Sequence, residues 1–480
     1  MLGGEIWAAL IHYSDGAGEI SMLGYKDRDQ GELFMTGSLR QLLPDDHILV
    51  RVDRVLDLSW LRDEVADLYC LDNGRPGIDP EVAVRLMLAG LLLGIVHDRR
   101  LMREAQVNLA IRWFAGYALH EALPDHSSLT RVRQRWGPER FKAILARTVE
   151  ACIAARIATG EVMHLDATLI RADVSWGAVV DAHADAVLAG VDEAQPSDPP
   201  NGEPHAPGEK PRRICRTDPD ASLGKGGRTS RVEPAYKQHT AVDALRGVVL
   251  DVEVTSGAVH DTNAMTALDT VPLATGRPIA VATLDAGYAI ARVFADLEAR
   301  GIEAVVPTRD EAPPRAGVIP ARRFKLDALH DRLRCPRGRH LLPNSRPNAA
   351  GLKVYRSSIG DCRPCPLRAT CFSPAAQRRS VLLNKDHPAL LRARRKRLAW
   401  SKREQALYAS HRGRAEGVHG EAKTWHGLAR AVRRGLGNVK IQAYLTAAVI
   451  NLKRLAAALL RALFRLVTGP WHQSLALAPA

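Results

Sequence analysis

Two short apolar segments each carry a single aspartate near their middle: Asp166 in VMHLDATLI and Asp285 in VATLDAGYA. Apolar residues on both sides of a carboxylate fit a buried strand whose end opens into a site. A third acidic residue, Glu416 in YASHRGRAEGVHGEAK, stands in a basic helical segment where Tyr408, Arg412 and Glu416 recur every four residues. Two carboxylates on strands and one on a helix suit a metal-ion nuclease. Two hard divalent cations held by oxygen ligands can activate a water or a sugar hydroxyl and stabilise the leaving oxygen of a phosphodiester.

The blocks HLDATLIRAD, YKQHTAVDALRGVVLDVEVTSGAVHD, TLDAGY and GLGNVKIQAYLTAAVINLKRL, taken in this order with the segment around Glu416, resemble the DDE transposases of bacterial insertion sequences. Arg412, Glu416 and Lys423 keep the family's spacings of three and six intervening residues. Tyr408 departs from the pattern, because three residues rather than two separate it from Arg412. The resemblance covers roughly residues 23 to 465. It implies an α/β fold with an RNase H-like catalytic core interrupted by insertions and preceded by an all-helical N-terminal domain. It also implies a catalytic triad of Asp166, Asp285 and Glu416 holding two Mg2+ or Mn2+ ions per active site. Arg412, Lys423 and Tyr408 become DNA contacts, and a homodimer on DNA is expected. Competing carboxylates are Asp173, Asp243 and Asp261 near the strands, and Glu404 and Glu421 near Glu416.

Charge agrees with a polyanionic partner. The chain carries a formal net charge of +14 with a pI of about 9.7. Roughly 34 Lys and Arg against 8 Asp and Glu fall in residues 311–480, whereas the first 310 residues are net acidic. Arg392, Arg394, Arg395, Lys396 and Arg397 crowd the pattern HPALLRARRKRLAWSKREQALY, which reads as a phosphate track, with Arg394, Arg395 and Arg397 as DNA contacts. Trp425 and His426 follow Lys423, to stack on DNA or to pack inside.

The organisation follows in five parts after an N-terminal extension at 1–35, in which Met22 offers a second start. Residues 36–158 read as helical, for DNA binding and dimerisation. Asp79 caps a helix that begins at Pro80, and Arg131, Arg133 and Arg135 beside Trp136 form a basic cluster, with Arg131 and Arg135 as DNA contacts. Residues 159–310 form the first part of the core. Its Pro- and Gly-rich stretch at about 190–234, ending near Lys225 and Arg228, reads as a mobile insertion. Residues 311–385 hold Cys335, Cys362, Cys365 and Cys371, for which a structural zinc is expected, with His340 as a substitute ligand and reduced free thiols as the alternative. Cys70, Cys152 and Cys215 stand apart. Residues 386–470 carry Glu416 on helices, and 471–480 are a tail. No apolar run is long enough to cross a bilayer and no secretion signal is legible, so a cytoplasmic protein associated with the nucleoid through DNA is expected, with no membrane contact.

The activity these features imply is cleavage at terminal inverted repeats and transfer of the resulting 3′ hydroxyl into target double-stranded DNA. Two alternatives remain: a catalytically silent or domesticated DNA-binding protein, and another RNase H-like nuclease without strand transfer.

Overall fold

The computed structural model describes residues 37–70, 77–181 apart from 176 and 178, 213–225, 232–308, 319–348 apart from 345, and 351–468. The extension at 1–35, Arg228 and the tail at 471–480 lie outside the described residues.

The N-terminal part is helical: α1 (Ile48–Asp53), α2 (Leu61–Val65), α3 (Pro80–Leu92), α4 (Asp98–Val107), α5 (Leu109–Ala115) and α6 (His126–Ala154). Asp79 accepts from the backbone N–H of Glu81 at 2.8 Å, which with Pro80 in the first turn starts α3. Asp125 does the same for α6 through Ser127 at 2.8 Å. Gly137, at φ 67°, breaks α6 just before Pro138, whose ring cannot follow an uninterrupted helix.

Eight strands form the large sheet: β1 (Val162–Arg171), β2 (Val179–Asp181), β3 (Arg213–Cys215), β4 (Ser222–Lys225), β5 (Val232–Asp243), β6 (Val249–Ser256), β7 (Val281–Leu284) and β8 (Glu303–Val305). Its centre runs β6-β5-β1-β7-β8, antiparallel across β6, β5 and β1 and parallel across β1, β7 and β8. The parallel crossover between β7 and β8 is made by α8 (Ala291–Ala299), after α7 (Ala267–Thr275) has followed β6. The β5–β6 hairpin turns at Gly247, whose φ of 68° suits glycine.

The stretch read as a mobile insertion is corrected in part. Residues 213–225 are β3 and β4, which extend the sheet from the first residues of β5. Cys215 and Ala221 are buried, and Asp218 accepts from the Tyr236 hydroxyl at 2.5 Å. Pro and Gly content does not reveal that β3 and β4 pair with each other and with the start of β5.

The cysteine-bearing segment builds a separate antiparallel sheet, β9 (Lys325–Asp327), β10 (Arg332–Arg334), β11 (His340–Pro343), β12 (Leu352–Ser357) and β13 (Ser380–Asn384), with short helices α9 (Ile359–Cys362) and α10 (Arg368–Cys371). Phe324, Leu333, Leu341, Tyr355, Phe372 and Val381 give it a small core of its own. The chain then runs through α11 (His387–Leu398), α12 (Lys402–His411), a π-helical turn at Arg412–Glu416, α13 (Gly417–Trp425) and α14 (Leu436–Thr468). Helix α14 packs on α6 and β6. There the fully buried Asn451 bonds both backbone groups of Val249, at 2.7 and 2.8 Å, and the hydroxyl of Thr148 at 3.1 Å. Among the described residues no helix is long and apolar enough to cross a membrane.

Candidate active site

Register builds the site. Parallel strands β1 and β7 pair residue by residue up to Leu165 opposite Leu284, so the next residues, Asp166 and Asp285, stand side by side. Neighbouring strands are about 4.8 Å apart, close enough for the two carboxylates to feel each other. Asp285 also ends the strand as a cap, accepting from Gly287 N–H at 2.7 Å. Burial, joined by the charges of Asp166 and Asp261, holds its carboxyl above the ordinary range despite that bond. Asp166 behaves differently. Burial pushes its carboxyl up, but His419 and the Ala167 N–H outweigh that and hold it below the ordinary value.

His419 was not singled out in the sequence. Its Nδ1 lies 3.4 Å from Asp166 Oδ2 and its Nε2 3.0 Å from Thr240 Oγ1 on β5, so the imidazole spans two strands. Three residues after Glu416, it shares that residue's helix face. His164 and His411 both reach the Thr283 hydroxyl, at 2.5 and 2.9 Å, beneath the carboxylates. Burial pulls both imidazoles below their ordinary pKa, against the nearby carboxylates in the case of His411. The buried Tyr288 hydroxyl has no hydrogen-bond partner among the described residues. Burial, then the charges of Asp261, Asp166 and Asp285, push its pKa well up.

Glu416 is engaged by an arginine of its own helix. Its carboxylate is 61% exposed and lies 3.3 Å from Arg412 Nε, itself 83% exposed. Tyr408 and His411 each feel the charges of Asp166, Asp285 and Glu416, so the three carboxylates surround one region, with Glu416 at its exposed edge. Among the described residues no three His, Cys, Asp or Glu side chains are gathered closely enough to hold a metal ion. Glu416 ends a π-helical turn, Arg412–Glu416, which closes i to i+5 and follows the regular α12.

The fit for divalent cations is uneven. Asp166 and Asp285 offer hard oxygen donors whose mutual repulsion a cation would relieve, beside an unpartnered hydroxyl. Glu416 fits only after leaving Arg412.

The rival carboxylates have structural work. Asp243 accepts from the backbone N–H groups of Thr159, Gly160 and Leu245. Asp173 pairs with Arg430 and Asp261 with Lys237. Glu404 completes a capping box with Ser401. Glu421 is held by Lys453, Arg454 and His426.

The basic residues sort unevenly. Lys423 is half-buried near Asp166; burial and Arg171 pull its pKa down while Asp166 pulls it up. Tyr408 packs between Trp400 and His411, stacked on the latter at 6.0 Å. In α11 the counter-charges are internal: Arg392 pairs with Glu298, Lys396 with Glu303 and Glu404, and Arg397 lies 4.0 Å from the Trp400 ring. Part of the expected phosphate track is thus paired within the protein; Arg395 is exposed and Arg394 half-buried. Arg133 turns inward to Asp98, so it leaves the expected basic cluster. Arg131 reaches the Ser127 hydroxyl at 3.2 Å, and Arg135 covers the Tyr69 ring at 4.6 Å. Trp425 is 66% exposed, while His426 is buried against the Leu91 carbonyl.

All four cysteines of the small sheet line one cavity of about 150 Å³, with Cys362 Sγ 3.0 Å from Ser357 Oγ. Burial and the three neighbouring thiols raise the Cys371 pKa, Arg379 opposing them. The sulfurs gather, but they do not close into a metal-binding group.

Comparison with known families fits this geometry. A family described as "Transposase domain (DUF772)" matches residues 37–135, and one described as "Transposase DDE domain" matches residues 334–456. Both matches, in that order, support a DDE transposase of insertion-sequence type. No curated protein matches it. Among solved structures it is similar to the Mos1 transposase paired-end complex with left transposon end, at 13% identity and a TM-score of 0.15, covering 51% of this chain and 65% of that one. The Mos1 strand transfer complex is similar at 10% identity and a TM-score of 0.16, covering 77% and 84%. The chain thus spans slightly less than two thirds of the first of these.

Proposed function

We propose that the chain is the DNA transposase of an insertion sequence, hydrolysing a phosphodiester at each element end and joining the freed 3′ hydroxyl to target DNA. The observation that carries this reading is the register that sets Asp166 beside Asp285 at the end of paired parallel strands. The five central strands would be its RNase H-like core. Asp166 and Asp285 would hold Mg2+ or Mn2+, and Glu416 would complete the set on leaving Arg412. Bound there, the cations supply charge stabilisation for the phosphodiester oxygens and a more acidic attacking hydroxyl. The protein's own groups do the rest. His419 fixes the direction of the Asp166 carboxylate, and Lys423 and the freed Arg412 position the non-bridging oxygens of the phosphate. Arg131, Arg135, Arg394, Arg395 and Arg397 are further candidates for phosphate contact. Terminal inverted repeats and target DNA are the proposed partners, engaged by a homodimer in the cytoplasm. The four thiols of the small sheet offer the donor types that a structural zinc takes.

Asp166→Asn and Asp285→Asn test the reading, since each removes a ligand charge at nearly constant shape. On a duplex carrying the element ends, with Mg2+, each is expected to abolish cutting while binding persists. A near wild-type cutting rate in either removes that residue from the chemistry. The pairing of the exposed Glu416 with Arg412 favours one second reading, a silent DNA-binding protein. That reading predicts end binding by the wild type with no cutting in either metal.

A further inference from the structure

A groove of about 700 Å³ opens between α1, the chain after α6, the β5–β6 turn, the π-helical turn and α14. Six cationic side chains line it, namely Arg51, Arg246, Arg414, Lys453, Arg454 and Arg461, and no carboxylate does among the described residues. None of the six belongs to the basic clusters that the sequence pointed to for DNA. Glu421, outside the groove lining, offsets only Lys453 and Arg454. Arg414 donates to the Leu245 carbonyl at 3.0 Å, which keeps its charge, and Arg246 and Arg461 are exposed. The Nε of Arg51 is buried without a hydrogen-bond partner among the described residues. Gly413 and Gly417 also line the groove, and a Cβ added to either would meet nothing within 4 Å, so their backbone is open to close approach.

Like charges brought together without counter-charges repel, by about 1 kcal/mol for a pair 4 Å apart in water, and a polyanion relieves this. Five of the six cations are arginines, whose planar forks match phosphate oxygens two at a time. We propose that this groove seats the phosphodiester backbone of duplex DNA, on the side of the π-helical turn that bears Arg414, while the same turn supplies Glu416. The proposal rests on the transposase reading above and adds a contact surface to it. It also places DNA against the turn that carries Glu416.

The test is the double variant Arg246→Gln with Arg461→Gln, both exposed and outside the chemistry, with Arg395→Gln in α11 for comparison. Affinity for end-containing and unrelated duplexes is measured over a salt series. The slope of log affinity against log salt is expected to flatten by roughly 1.8 units, about 0.9 for each lost phosphate contact, on both duplexes. Unchanged slope and affinity in the double variant, with a wild type that binds duplex, overturns the groove and leaves the transposase reading standing. A wild type that binds neither duplex overturns the reading beneath it.

Discussion

His419 carries an argument that the expected triad did not contain. One ring nitrogen faces Asp166 on β1 and the other the Thr240 hydroxyl on β5, so the carboxylate cannot rotate without losing its contact with an imidazole that β5 holds in place. Residues that orient metal-ligating groups commonly change metal affinity 10–100-fold when removed. His419→Ala is therefore expected to weaken Mn2+ binding by roughly that factor, read by calorimetry without DNA. His419→Gln, which keeps a donor and nearly the length, should retain more of the affinity. Equal Mn2+ affinity in wild type and His419→Ala would leave the imidazole a packing role only. The sequence carried a signal for this residue. His419 is three positions after Glu416 and four before Lys423, hence on the same face.

The helix that carries Glu416 was legible as an element but not in its pitch. Apolar runs around Asp166 and Asp285 reveal strands because side-chain period and burial agree there, and the hairpin follows from alternation on either side of Gly247. A π-turn leaves no such trace, since a helix is read with 3.6 residues per turn throughout. Long-range counter-charges are equally silent: Glu298 and Glu303, which neutralise part of α11, lie about ninety residues earlier. Gly413, Gly417 and Gly420 sharpen the point. None has an atom within 4 Å of where a Cβ would stand, so tight packing does not require them. Glycine costs a helix roughly 0.5–1 kcal/mol relative to alanine. Gly417→Ala is accordingly expected to stabilise the fold by about that amount in thermal or urea unfolding. It should also weaken duplex binding, because Gly417 lines the groove. A stabilised variant with undiminished binding would show that the open backbone serves no close approach.

At the scale of the whole molecule, one buried carboxylate is shared between the helical N-terminal part and the C-terminal segment, which also pack on each other through α6 and α14. Asp98, at the start of α4 and 8% exposed, accepts from Arg133 of α6 at 2.7 and 2.9 Å and pairs with Arg433, which precedes α14. Burial pushes its carboxyl up, but bonds and charge from Arg133 and Arg433 outweigh this and hold it below its ordinary value of 3.8. Burial weighs on Arg133 in the opposite sense, yet a guanidinium starts so far above neutrality that it stays charged. The sign follows from linkage. A carboxyl titrating lower when folded contributes stability that is fully present above the unfolded value and is lost as pH falls through the folded one. Asp98→Asn leaves two guanidiniums facing an amide, and breaking a buried pair in this way costs about 3–5 kcal/mol. Urea unfolding at pH 7 should show that loss, and the gap between wild type and variant should shrink as the pH is lowered towards 3. A gap that stays constant across that range would mean that shape, not charge, joins the two parts of the chain.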